Sequence, residues 1–174
     1  MKNQNATCRG RTRRSIGSAL FVLCVFGTRA RADDVVDVCK ILSDPKDIGT
    51  GIVKIRGIYS SSTEYILIGD EHCGQEFQHK GQTWRSGIWL AFPSGGRPPS
   101  KSEFDYAAFD ALIKAHHDAR AKGRKVSAVF EGKLKYCPQH ARKKSGEETW
   151  VGCGFLGEYV FELTVTTVSD IKIQ

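Results

Sequence analysis

Residues 51–73, GIVKIRGIYSSSTEYILIGDEHC, hold two strand-like runs joined by a hydroxyl-rich turn and closed by a cysteine. Val53, Ile55 and Tyr59 alternate with Lys54, Arg56 and Ile58, the period of a strand with one dry face and one wet face. Gly57 interrupts the run. A glycine inside a strand marks a bulge or a tight bend, which a small barrel needs in order to curl. Residues 60–63 are all Ser or Thr and predict a turn. Tyr65-Ile66-Leu67-Ile68 is apolar throughout and predicts a second strand covered on both faces.

Working outward, Val35, Val38, Cys39 and Leu42 suit one face of a short N-terminal helix. Asp33 and Asp34 favour its start, Ser43-Asp44-Pro45 stops it, and residues 47–51 turn the chain into the first strand. Residues 70–87 read as a long polar connection holding His72, Cys73, His79 and Trp84. A third strand follows at 88–92, with Ile88, Leu90 and Phe92 opposite Trp89. The Gly/Pro-rich run 93–99 is a loop. A helix then spans 104–122, its apolar stripe at positions 104, 108, 112, 115 and 119. Ser100 or Ser102 caps it, Ser100 with Glu103 at capping-box spacing, and Gly123 ends it. Val126, Ala128, Phe130, Gly132, Leu134 and Tyr136 form the inner face of a fourth strand. Residues 137–157, with Arg142-Lys143-Lys144 and Trp150, read as a loop. Tyr159, Phe161, Leu163 and Val165 line a last strand over 159–168.

Strand, strand, strand, helix, strand, strand is the element order of the OB-fold. The expectation is therefore a mainly β, five-stranded OB-fold-like barrel with its helix between strands 3 and 4.

The first 32 residues read as a cleaved signal peptide: a basic head, an apolar run over 16–27, and Ala30-Arg31-Ala32 as the cleavage site. That apolar run is too short to span a bilayer, which takes about 20 residues. The leader holds seven of the 26 Lys and Arg and none of the 19 Asp and Glu, so residues 33–174, the expected single domain, carry 19 of each and no net charge. The basic pI belongs to the leader, and a global electrostatic case for nucleic acid fails. A local asymmetry survives, with ten Lys/Arg against four Asp/Glu over 112–148, and reads as a solvated face, with binding of an anionic partner as the alternative.

Cleavage leaves Cys39, Cys73, Cys137 and Cys153, an even number in an exported chain. Sequence allows three connectivities. Cys39 with Cys73 and Cys137 with Cys153 is the expected pairing, because each pair flanks a segment that should fold back on itself. The expected location is periplasmic or secreted, with no membrane span after cleavage.

The chain also resembles a group of uncharacterised exported bacterial proteins with an OB-fold-like core. The resemblance rests on Val38-Cys39-Lys40-Ile41-Leu42, Val53-Lys54-Ile55-Arg56-Gly57, Gly69-Asp70-Glu71-His72-Cys73, Ile88-Trp89-Leu90, Phe130-Glu131-Gly132 and residues 152–159, GCGFLGEY. It implies export and an OB-like barrel, and brings no activity. Phe155 stands where members of the group often carry His.

Glu71, His72, Cys73, Cys137 and His140 invite a zinc reading, but Cys137-x-x-His140 is one half-site without a second, and oxidising surroundings favour disulfides. His116, His117 and Asp118 are neighbours on one helix and point in different directions, so they cannot converge as a catalytic group. No G-x-S-x-G, H-E-x-x-H or phosphate-binding loop occurs. OB barrels bind single strands by a basic groove with exposed aromatics. Lys54, Arg56, Tyr65, Trp89, Lys133 and Lys135 are the residues that could supply such a face. With a neutral, exported domain, nucleic acid is the unlikely partner. The expectation is a non-enzymatic module without a cofactor that binds a protein or small ligand of the cell envelope, through the barrel face or the loops 73–87 and 137–157. The alternative is an envelope enzyme or metal-dependent protein using Glu71, His72 and His140.

Overall fold

The computed structural model describes residues 34–43, 51–92, 100, 103–142, 145–146 and 148–174. The expected leader at 1–32, the turn at 47–50, the loop at 93–99, Ser102 and Lys143-Lys144 lie outside the described residues. In chain order the elements are β1 (Val35–Asp37), α1 (Val38–Ser43), β2 (Ile52–Ser61), β3 (Ile66–Gly69), β4 (Glu76–His79), β5 (Gln82–Arg85), β6 (Ile88–Ala91), α2 (Tyr106–Arg120), β7 (Val126–Tyr136), β8 (Gln139–Arg142), β9 (Glu148–Val151) and β10 (Phe161–Ile173). Single 3₁₀ turns lie at Glu71–Cys73 and Phe155–Gly157.

Five strands close a barrel in the order β2-β3-β6-β10-β7, with β7 pairing back onto β2. All neighbours are antiparallel except β6 and β10, which run parallel. The OB-like barrel is thus the fold, and α2 sits between its third and fourth strands. The alternation read from sequence is what fills it: Ile55, Tyr59, Ile68, Ile88, Leu90, Val126, Ala128, Phe130, Leu134, Phe161, Leu163 and Val165 are buried. Each Val, Leu, Ile and Phe of this set is worth about 1.5–3 kcal/mol on leaving water, so the set supplies the driving force of folding.

Two glycines permit the closure. At Gly132, which faces Val53 on one side and Val165 on the other, a Cβ would collide with the carbonyl oxygen of Thr164 and come within 3.0 Å of Val165 Cα. At Gly57 a Cβ would lie 2.9 Å from Val38 Cγ2, so the absent side chain is what lets α1 lie on the barrel.

Four local readings change. The expected helix over 35–42 begins only at Val38. Val35 and Val36, β-branched and poor helix formers, pair instead in parallel with Lys54 and Ile55 on the open edge of β2. The Ser100–Glu103 bonds do form, the carboxylate accepting from Ser100 N and Oγ at 2.8 Å each, but they close a turn before the helix. The N-cap is Asp105, whose side chain accepts from Ala108 N at 3.0 Å while its own N–H donates to Thr166 O. Barrel contact, rather than the local box, decides where α2 starts. Its C-terminus is as read: Gly123 N donates to Arg120 O and Arg124 N to Ala119 O, the Schellman pattern, with Gly123 at φ 64°.

The other two changes concern residues 70–87 and 137–157, read as loops. They contain hairpins β4–β5 and β8–β9, which dock on one another. Lys80 and Gly81, at φ 53° and 72°, make the two-residue turn of the first, with the positive φ values of a type I′ hairpin. That turn delivers the Lys80 ammonium to 3.8 Å from the Trp150 ring centre and 5.3 Å from that of Tyr136. His79 Nε2 shares a 2.7 Å hydrogen bond with Tyr136 Oη, and the Gln82 amide bonds both main-chain groups of Trp150. Trp84 is buried beneath, its Nε1 donating to His79 O at 2.8 Å. Four-residue strands, alternately polar, with a Lys-Gly turn, carry too weak a pattern to be read alone.

Both expected disulfides are present, Cys39–Cys73 with Cα atoms 5.1 Å apart and Cys137–Cys153 with 5.4 Å. The first ties α1 to the 3₁₀ turn after β3. The second fixes the neck of β8–β9. No helix among the described residues is long and apolar enough to cross a membrane.

Candidate functional site

Lys54, Arg56, Lys133 and Lys135 do share the outer face of β2 and β7, as the strand period requires. Acids from the facing strands interleave with them. Arg56 pairs with Asp170 at 2.6 Å, Lys54 with Glu131 at 3.8 Å and Lys135 with Glu162 at 3.8 Å. Lys172 first and Arg56 second hold the Asp170 carboxyl below its ordinary range. Trp89 sits across β10 on β6, packed against Tyr159 with ring centres 5.7 Å apart and roofed by Gly154, where a Cβ would enter the indole. Tyr65, just before β3, shares a small hollow with Tyr159 rather than joining the four cations. Three of the four cations on this face thus stand beside an acid, and the tryptophan is half covered by Tyr159 and the Gly154 backbone.

The residues named for a metal or enzyme site are not gathered. Glu71 is engaged by Lys125, whose hydrogen bond holds the carboxyl below its usual range. His72 turns its Nδ1 to Asp70 at 2.7 Å, and the Asp70 carboxyl, held low chiefly by the His72 N–H, caps the 3₁₀ turn. His140 stacks edge-on against Trp150 and lies 3.8 Å from Glu148. Among the described residues, the groups within metal-binding distance are Cys39, Asp70, Cys73 and Cys137, Cys153, Glu162; their thiols are spent in the two disulfides.

A different place brings unspent chemistry together. The β2–β3 turn and the C-terminal half of α2 enclose a cleft of about 470 Å³ lined by Ser60, Ser61, Ser62, Thr63, Tyr65, His116 and Arg120. The turn is held from within: Ser62 N donates to Tyr65 O, and Ser62 Oγ accepts from the N–H groups of Glu64 and Tyr65. Burial raises the Tyr59 phenol above its ordinary value, and the Ser61 hydroxyl two residues on partly offsets this. His116 stands edge-on to Tyr59, ring centres 5.0 Å apart and planes at 89°, and Tyr59 in turn stacks on Phe130 in the barrel core. Burial first, then the neighbouring His117 and Arg120, push the His116 imidazole below its ordinary value, so it is neutral at pH 7. A smaller hollow of about 90 Å³ adjoins through Tyr65, but Arg85 and Glu158 at 2.7 Å occupy its polar capacity.

The sequence held a signal for this cleft. Four successive hydroxyl residues exceed what a hairpin turn needs, and His116 and Arg120 at i, i+4 share one helix face. Only the docking of α2 on the barrel joins the two. Family models, curated proteins and solved structures return no match to this chain.

Proposed function

We propose that this chain is an exported, disulfide-stabilised OB-barrel binding module, and that it takes a small ligand of the cell envelope in the cleft between the β2–β3 turn and α2. The carrying observation is that cleft itself: about 470 Å³ on a rigid barrel edge, walled by hydroxyls and one cation. Specific sites of this size place a few convergent polar groups on a preformed concavity. Two disulfides fit an oxidising compartment, and the expected leader would deliver the chain there. A closed barrel with α1 and the β8–β9 insertion each held by a disulfide offers preorganisation, which lowers the ordering cost of binding.

The test is a thermal-shift and NMR screen of the oxidised protein against small-molecule extracts of a bacterial envelope. Saturable stabilisation, with resonance shifts centred on residues 60–65 and 116–120, is the expected result. Turnover of extract components without saturable binding, or binding mapped elsewhere, would sink the reading.

A further inference from the structure

We infer that the cleft selects an oxyanion, the carboxylate or phosphate of a small hydroxylated molecule, with Arg120 as its counter-ion and the turn hydroxyls as neutral donors. This deepens the proposed binding function and rests on it.

Five arginines fall among the described residues, and four are satisfied within the fold. Arg56 holds Asp170, Arg85 holds Glu158, Arg124 donates to the carbonyls of Ile173 and Gln174, and Arg142 donates to Gly146 O. Among the described residues Arg120 has no acceptor, and it lines the cleft. No carboxylate shares that lining, whereas Lys54, Arg56 and Lys135 on the barrel each stand beside an acid. An unpaired guanidinium beside hydroxyls is a fork for a carboxylate or phosphate, whose two oxygens match its parallel N–H groups.

The hydroxyls sort the same way. Ser62 is consumed by its own turn, while among the described residues the hydroxyls of Ser60 and Thr63 bond to no protein group and line the same space. They can donate to an oxyanion or bond a sugar-like hydroxyl, since a hydroxyl serves in either role. One opposing effect needs weighing. The C-terminal end of a helix carries roughly half a negative charge, which disfavours anions. Here the last carbonyls of α2 are met by the N–H groups of Ala121, Gly123 and Arg124, so that charge is largely answered locally. A full unit of positive charge on Arg120 therefore dominates the field in the cleft. His116, its imidazole held below its ordinary value by burial, adds little charge at neutral pH, so Arg120 is the cleft's main cation.

The experiment uses ¹⁵N-labelled protein expressed from the full-length gene and purified with its disulfides intact. It is titrated separately with inorganic phosphate, sodium glucuronate, glucose, and sodium chloride at matched ionic strength. Phosphate or glucuronate should shift the amides of residues 60–63 and the Arg120 Nε–Hε resonance saturably, whereas glucose and chloride should not. Whichever anion binds tighter identifies the head group. Arg120→Gln should weaken that binding at least about tenfold, the cost of one lost charge-assisted contact, and Arg120→Lys should restore part of it. Glucose binding as well as glucuronate does, with affinity indifferent to Arg120→Gln, overturns the anion inference and leaves the cleft a binding site. Shifts equal to those of chloride, or none, overturn it as well, and the extract screen then judges the cleft independently.

Discussion

Replacing Gly132 by alanine puts the barrel's closure to a severe test. Gly132 lies mid-strand in β7 between β2 and β10, so neither neighbour is a free edge. The added methyl would collide with the carbonyl oxygen of Thr164 and lie 2.9 Å and 3.0 Å from Thr164 C and Val165 Cα. All three are backbone atoms, so no rotamer change relieves the crowding, and β10 itself must move where its register already shifts between Val165 and Thr167. The expected cost is about 3 kcal/mol, the upper range for overpacking a core. Against a total of about 5–15 kcal/mol for a domain, the variant still folds but is markedly weakened. Urea unfolding followed by fluorescence, with the buried Trp84 as a reporter, measures it. At a slope of about 1.5 kcal/mol per molar, the midpoint should fall by about 2 M. Gly57→Ala is the internal control: its closest contact, Val38 Cγ2 at 2.9 Å, is a single methyl, and the cost should be about 1–2 kcal/mol and partly relieved by Val38→Ala. A Gly132→Ala protein within about 0.5 kcal/mol of its parent would mean that β7 and β10 do not meet as described, and the closed barrel would be refuted.

Three further outcomes are expected. Lys80→Met and Trp150→Leu should show a coupling of about 1 kcal/mol in a double-mutant cycle, and additive losses would mean the two hairpins are not joined through this cation–ring contact. Non-reducing peptide maps should recover Cys39 with Cys73 and Cys137 with Cys153. Serine pairs should cost about 4 kcal/mol for the first and about 3 for the second by loop-closure entropy, given sequence separations of 34 and 16, and a reversed order would count against that account. The depressed His116 value means that, below an unfolded value of about 6.5, the unfolded chain binds a proton that the folded one refuses. Stability should therefore be lost as pH falls from about 6.5 through the folded value, and His116→Gln should flatten that part of the profile; superimposable profiles would remove His116 from its buried setting against Tyr59.

The barrel was legible because its signals are local and periodic. Residues 53, 55 and 59, then 126–136, then 159–165 alternate at the strand period, and α2 carries a stripe with a glycine stop. Burial on one face of each strand then enforces the same register that the pattern proposes. The disulfide pairs were legible for a related reason, since each closes a segment that returns on itself.

What sequence could not supply is whatever depends on partners distant in the chain. Val35 and Val36 became a strand because β2 had an open edge to fill, and Asp105 became the cap because Thr166 anchors it. The same holds for charge: Lys54, Arg56 and Lys135 look like a basic face in one dimension, and only the neighbouring strands reveal Glu131, Asp170 and Glu162 beside them. Arg120 is the reverse case, one cation among many in the sequence and without an acid beside it among the described residues of the fold. Periodicity fixes which side of an element faces inward, because that is set by bond geometry along the chain. Which side chains meet across elements, and which charge is left over, is decided only when the barrel closes.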